Sequence, residues 1–254
     1  MNNDRLLALD FDGVIADSIL ECLVSAHNAF SKYQGEYDPR EHHGAIPKSQ
    51  VESFRKLRPQ IRRGEDYVFI LQSMAEDEHL ATQSDFDGFI NRNSHRREDY
   101  RDVFYQERSI LRKNNLVEWL ALNPIYPGLS NFLRGVFEKR ACMIVTTKDL
   151  TSVRAILQNE GIEPDPADMF QATLDYRKPA IINDFIRKRK LNPRDISFID
   201  DHVATVLEVA ENTEVHTYCA SWGYNTRDQL NTLHTAGHQS LKLDEFMERF
   251  KDFR

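Results

Sequence analysis

Five short apolar runs, most of them separated by stretches of helical pattern, constrain this chain more than any other feature. They fall at 6–9, 141–145, 169–174, 196–199 and 215–219, the third being the weakest. Short runs of this kind suit strands buried on both faces, as in a parallel sheet covered by helices. A helical pattern follows three of them, at 153–159 before Gly161, at 180–190 before Asn192-Pro193, and at 203–210. Strand and helix in alternation predict a doubly wound α/β parallel sheet. Ligands of such sheets bind outside the carboxyl ends of the strands.

One long segment breaks the alternation. From 18 to 123 the chain reads as helices with no convincing strand. Ile19, Leu20, Leu23, Val24 and Phe30 make an apolar face at helical spacing, and Val51, Phe54 and Leu57 make another before Pro59. Val68, Phe69, Leu71 and Gln72 begin a third. The stretch 85–115 is highly polar, with Phe89, Tyr100, Phe104 and Leu111 as sparse anchors. Asn123-Pro124 and Tyr126-Pro127-Gly128 mark the return to the earlier pattern. The expectation is an α/β core over 1–17 and 124–254, with an inserted all-helical domain over 18–123. A chain of 254 residues has room for both.

Three of the predicted strands end in polar groups: Asp10-Phe11-Asp12-Gly13-Val14, Thr146-Thr147-Lys148 and Asp200-Asp201, with Arg177-Lys178-Pro179 before a helix between the last two. Neighbouring strand ends converge, so these groups can share one crevice. Phosphoryl transfer needs an in-line nucleophile and neutralised phosphate oxygens. Asp10 suits the nucleophile of an aspartyl-phosphate route. Asp12 suits the acid that protonates the leaving oxygen and later activates water. Gly13 permits a sharp turn. Clustered carboxylates repel one another unless a hard cation joins them, and Mg²⁺ takes carboxylates, water and phosphate oxygen. Asp10, Asp12 through its carbonyl, and Asp201, with or without Asp200, are the expected metal shell. Thr146, with Thr147 beside it, offers hydroxyls to phosphate, and Lys178 offers a positive charge.

The arrangement resembles the haloacid dehalogenase-like hydrolase superfamily. The runs 10–14, 145–148, 178–179 and 198–201 carry that likeness, in the family's order. The helical insert looks like a C1-type cap. Pro127-Gly128 with Leu129 and Leu133, and Trp222-Gly223-Tyr224, are similar to segments of the phosphoglycolate-phosphatase-like branch. The resemblance implies Asp10 as nucleophile, Asp12 as general acid and base, Thr146 and Lys178 as phosphate ligands, and Asp201 with Asp200 as ligands of Mg²⁺. Many members of this branch have Gly at the position of Asp200 and a second Asp where Thr205 stands, so the share of Asp200 stays open. The cap matches only in position and helical character.

The net charge of −7 disfavours nucleic-acid binding by the bulk field. Cys22, Cys142 and Cys219 form no CxxC pair and read as small buried hydrophobes. The N-terminal apolar run is too short for a signal peptide, and no stretch approaches a membrane span, so a cytoplasmic protein is expected, with no membrane partner. The nine histidines show no HxxH or HExxH spacing, and no G-x-G-x-x-G follows the first run. The basic stretch 55–63 reads first as a solvated helix face, with Arg58 as the candidate cap contact to substrate. The expected partner is a small phosphorylated metabolite, and the expected activity is phosphomonoester hydrolysis. A phosphosugar mutase, a phosphonate hydrolase using Lys32, Lys48 or Lys56, and a non-catalytic binding protein stand as alternatives. Neither the substrate nor the oligomeric state is legible in the sequence.

Overall fold

The computed structural model describes residues 5–253. The first four residues and Arg254, which the expected core spans include, lie outside the described residues, as does the start of the N-terminal run. Strand β1 (Leu6–Leu9) is followed by helices α1 (Ile19–Tyr33), α2 (Lys48–Leu57), α3 (Asp66–Ala75), α4 (Gln83–Arg92), α5 (Arg97–Asn114) and α6 (Leu116–Ala121). The chain then alternates: α7 (Leu129–Glu138), β2 (Cys142–Thr146), α8 (Leu150–Asn159), β3 (Met169–Gln171), α9 (Lys178–Arg189), β4 (Ile196–Asp200), α10 (Val203–Asn212), β5 (His216–Ala220), α11 (Arg227–Thr235), β6 (Gln239–Leu241) and α12 (Leu243–Arg249). Two compact units result. One comprises Met1–Asp17 with Ile125–Arg254, the other Ser18–Pro124.

The first unit is a six-stranded parallel sheet in the order β3-β2-β1-β4-β5-β6. The chain moves outward from β1 to β3, then returns to the other side of β1 for β4, so the strand order reverses around β1. Leu9 lies level with Ile144 of β2 and Ile199 of β4. The residues just past it, Asp10 among them, therefore leave the sheet at the reversal, where a crevice opens in folds of this kind. Alternate residues of the three central strands point to one face: Leu6 and Ala8, Met143 and Val145, Ile196 and Phe198. There they pack with Ile181, Ile182 and Phe185 of α9 and Val209 of α10. This apolar layer holds the strand ends in fixed register.

The run 169–174 is a strand only as far as Gln171. Ala172 N still donates to Thr146 O, but Thr173 N donates to Tyr176 O and the chain turns toward α9. Two helices begin earlier than apolar spacing suggests. Asp149 accepts from Ser152 N and starts α8 at Leu150. Pro179 in the first turn lets α9 start at Lys178, because the missing N–H costs nothing there. Strand β6 and helices α11 and α12 complete the sheet edge without any marked apolar run.

The second unit is helical throughout, with no strand among its described residues. Helix α1 packs on α3 and α5. The sparse anchors of the polar stretch, Phe89, Tyr100, Phe104 and Leu111, are all buried. Tyr67 stacks between Phe54 and Phe104, each 5.6 Å away, so aromatic area compensates for the shortage of aliphatic residues. Glu21 of α1 and Arg108 of α5 form a buried bidentate pair at 2.8 and 2.9 Å. The three cysteines are buried free thiols. No helix among the described residues is long and apolar enough to cross a membrane.

Candidate active site

The ends of β1, β2 and β4 and the start of α9 bring the acidic and basic groups of the core unit together. Asp10 N donates to Ile199 O at 2.9 Å, which fixes the first aspartate beside the end of β4. The chain then makes one tight turn. Phe11 O accepts from Val14, Ile15 and Ala16 N at 3.3, 2.8 and 3.0 Å. Gly13 sits at φ +84°, and a Cβ there would fall 2.1 Å from Asp201 Oδ2. Both the backbone conformation and the space require glycine at this position.

Asp10, Asp200 and Asp201 each present a carboxylate oxygen, and the three lie within 4.8 Å of one another. Asp200 and Asp201 are 0% and 3% exposed. Lys178 stands against Asp10 and Asp200, itself buried. Its Nζ donates to Asp200 Oδ2 at 2.7 Å and lies 2.9 Å from Asp10 Oδ1. Beyond that ion pair, Asp10 Oδ1 is buried with no further partner of its own. Burial raises the Asp10 pKa to about 6, and the Asp200 charge raises it too, against the pull of Lys178. Burial works against the Lys178 charge, but Asp10 and Asp200 outweigh it and hold the ammonium above the ordinary lysine range. A cation in a helix's first turn also opposes the helix dipole, so this lysine's place is explained by its partners rather than by its helix.

The loop after β5 braces the site from the other side. Tyr224 N donates to Asp201 Oδ2 at 2.6 Å, and Tyr224 Oη donates to Asp17 Oδ1 at 2.6 Å. Trp222 Nε1 donates to Val14 O at 3.1 Å. A Cβ on Gly223 would fall 2.3 Å from Gly13 O, so the two glycines let the two loops touch backbone to backbone. Trp222 is thus a packing and bracing residue. His202 N donates to Asp200 Oδ1 at 2.8 Å, and His202 Nδ1 lies 3.0 Å from Thr205 Oγ1.

Each residue singled out in the sequence has a definite place. Asp10, Asp200, Asp201 and Lys178 share one cluster. The Asp12 carboxylate pairs with Lys148 Nζ, 3.1 Å away, rather than with the three other aspartates. Thr146 is buried at the end of β2, where its Oγ1 accepts from Lys148 N at 3.1 Å. Thr147 is exposed, while Lys148, like Thr146, is buried. In the helical unit Arg58 is 9% exposed, with its guanidinium 5.3 Å from the Tyr67 ring centre. Arg62, in the same basic stretch, makes two hydrogen bonds to Asp87 at 2.8 and 3.0 Å. Lys32 pairs with Glu107 at 2.7 Å, while Lys48 and Lys56 are exposed. Lys148 and the Tyr224 amide are the site groups that sequence reasoning passed over. No local signal marked Lys148, since a lysine after a strand reads as solvent-facing unless a distant partner pairs with it.

No protein-family model matches the sequence, and no curated protein matches it. Solved structures do. A predicted phosphoglycolate phosphatase from Haemophilus somnus is 16% identical, covers all of both chains and superposes with a TM-score of 0.61. A haloacid dehalogenase-like family hydrolase from Streptococcus pneumoniae is 16% identical over 98% of this chain and 100% of its own, with a TM-score of 0.56. A HAD family hydrolase from Deinococcus radiodurans, with bound phosphate and sodium, is 11% identical over 98% and 96%, with a TM-score of 0.57. Parallel sheet, helical insert and these superpositions together establish that this chain has the fold of the haloacid dehalogenase-like hydrolases.

Proposed function

We propose that this chain is a magnesium-dependent phosphatase that hydrolyses phosphomonoesters of small cytoplasmic metabolites through an aspartyl-phosphate on Asp10. The observation that carries this reading is the gathering of Asp10, Asp200 and Asp201 at the reversal of the strand order, with buried Lys178 on Asp10 and Asp200. Buried carboxylates this close repel one another, and a protein retains them where a cation or a reaction needs them. The Deinococcus hydrolase of the same fold holds a bound phosphate, in keeping with a phosphate-handling enzyme.

The donor set fits Mg²⁺. Its ligands are hard carboxylate oxygens, and Asp10 Oδ1 is buried with no further partner beyond Lys178. Asp10, Asp201 and Asp200 would hold the ion, with the Asp12 carbonyl as a further donor. Bound there, Mg²⁺ neutralises charge on the carboxylates and on phosphate. An Asp10 carboxylate oxygen attacks phosphorus, and the bond to the leaving oxygen breaks. Asp12 passes a proton to that oxygen, then takes one from the water that cleaves the aspartyl-phosphate. Lys178 balances charge on the transferring group, and the Thr146 hydroxyl donates to a phosphate oxygen. Inorganic phosphate leaves and Asp10 is restored.

A panel of phosphorylated metabolites, assayed for phosphate release with and without Mg²⁺, tests this. Turnover of at least one ester, dependent on Mg²⁺ and on Asp10, is the expected result. An absence of release across the panel, or release that survives Asp10→Asn, overturns the reading.

A further inference from the structure

We infer that Lys148 is the positioning residue for Asp12, a part separate from the phosphate neutralisation assigned to Lys178; the inference rests on the phosphatase reading above. Two buried lysines of the core unit contact different aspartates. Lys178 lies on Asp10 and Asp200. Lys148 lies on Asp12, with Nζ 3.1 Å from Oδ1 and 3.5 Å from Oδ2. One ammonium within reach of both oxygens fixes the plane of the carboxylate as well as its place.

The cost of this arrangement argues that it has a use. The Lys148 side chain is 0% exposed, whereas Asp12 keeps 18%. Ordering a lysine side chain costs conformational entropy, and burying its charge costs more. A lysine needed only for solubility would point outward. Here the backbone directs it inward: Lys148 N is bonded to Thr146 Oγ1 at the end of β2, and Asp149 then caps α8. Asp12, by contrast, rides on the Gly13 turn, a connection without the register of a strand. A group that must meet the leaving oxygen and later a water has to be held to within about 0.5 Å. Lys148, rooted in the sheet, supplies that hold from across the crevice.

Positioning an acid matters in proportion to how badly the leaving group needs a proton. An alkoxide needs one and a nitrophenolate does not. The test therefore compares kcat/KM for p-nitrophenyl phosphate with that for an aliphatic ester that the wild-type enzyme hydrolyses, glycerol 3-phosphate being the first probe. Lys148→Met is expected to lower kcat/KM about 100-fold on the aliphatic ester and no more than about 3-fold on the aryl ester. Inhibition by inorganic phosphate should change less than about 2-fold, since the transferring phosphate sits on Lys178. Lys148→Arg should recover part of the aliphatic activity. In an Asp12→Asn background, Lys148→Met should cost nothing further, because there is no carboxylate left to position. Equal losses on both esters, weakened phosphate inhibition, or additive losses in the double variant overturn the inference while leaving the phosphatase reading intact. A wild-type enzyme that hydrolyses neither class of ester overturns both. If Lys148→Met melts below the assay temperature, Lys148→Arg carries the comparison: a smaller loss biased toward the aliphatic ester supports the role, and a uniform loss refutes it.

Discussion

Each of the two units buries charge, and they do so in opposite ways. In the helical unit Glu21 and Arg108 bind each other fork to fork. Both carboxylate oxygens accept from the guanidinium, Ser25 Oγ adds a bond at 2.7 Å, and Arg108 lies 4.6 Å from the Phe104 ring centre. In the core unit Lys148 and Lys178 stand among Asp10, Asp12, Asp200 and Asp201, two cations for four carboxylates. In the matched pair a guanidinium answers both oxygens of one carboxylate and ties α1 to α5. An unmatched cluster is held in place by the surrounding fold and gains from a cation or a reacting phosphate. Burial alone therefore does not mark a functional charge; imbalance does.

The most direct way to break the comparison is to remove one charge from each side. Asp10→Asn keeps the shape of the side chain and removes both the attacking oxygen and one repelling charge. Turnover should fall by about 10³-fold or more, measured as phosphate release from whichever ester the panel identifies. Stability, followed by thermal melting, should not fall. A variant that melts earlier and still turns over substrate would place Asp10 with the matched pairs.

Arg108→Met should behave in the reverse sense. It leaves Glu21 buried without its guanidinium, which costs about 3–5 kcal/mol. Denaturant unfolding is the measurement, and Glu21→Leu added to Arg108→Met should recover much of the loss. If Arg108→Met costs less than about 1 kcal/mol, the matched pair is not what holds α1 to α5.

The contrast between the units also explains what the sequence discloses. Strand β1 was legible at 6–9 because every residue is apolar and buried. Strand β6 was not, because a three-residue edge strand with an exposed Gln239 carries no apolar pattern. Asp10, Asp12, Asp200 and Asp201 were legible because carboxylates at strand ends are chemically out of place. Lys148 was passed over because a lysine after a strand reads as solvent-facing. Only the approach of Asp12, 136 residues away, makes it a buried ion pair. Thr147, between buried Thr146 and buried Lys148, is exposed. Pairings across the fold, such as Glu21 with Arg108, are invisible to any local pattern.

A third charge sharpens the comparison through pH. Asp66, at the start of α3, is 3% exposed. Its Oδ2 accepts from Arg62 and Arg63 N at 3.0 and 3.1 Å, and Arg97 is 3.5 Å from Oδ1. Burial raises its pKa to about 6, the backbone bonds and Arg97 only partly offsetting it. The folded protein therefore holds this proton more tightly than the unfolded chain does. Its contribution to stability is present below the unfolded value near 4 and is lost as pH rises through 6, by at most about 3 kcal/mol. Asp66→Asn should flatten that part of the stability-against-pH curve. An unchanged slope between pH 4 and 6 would assign Asp66 to the matched class.

The smallest expected effect separates the two kinds of buried charge without touching the chain. A cation that fits the unmatched cluster binds the folded state alone, and at about tenfold over its dissociation constant it adds about 1.4 kcal/mol. For a protein of this size that is a rise of about 3–6 °C in melting temperature. Mg²⁺ should produce this rise in the wild-type protein and in Glu21→Leu/Arg108→Met, because the matched pair has no oxygen to offer. In Asp201→Asn the rise should shrink toward zero, since one of the three converging carboxylates is gone. Ca²⁺, which prefers more ligands at longer distance, should raise the melting temperature less than Mg²⁺ does. A rise that persists unchanged in Asp201→Asn would mean that the ion binds elsewhere, and the imbalance at Asp10 would then have to be answered by phosphate and lysine alone.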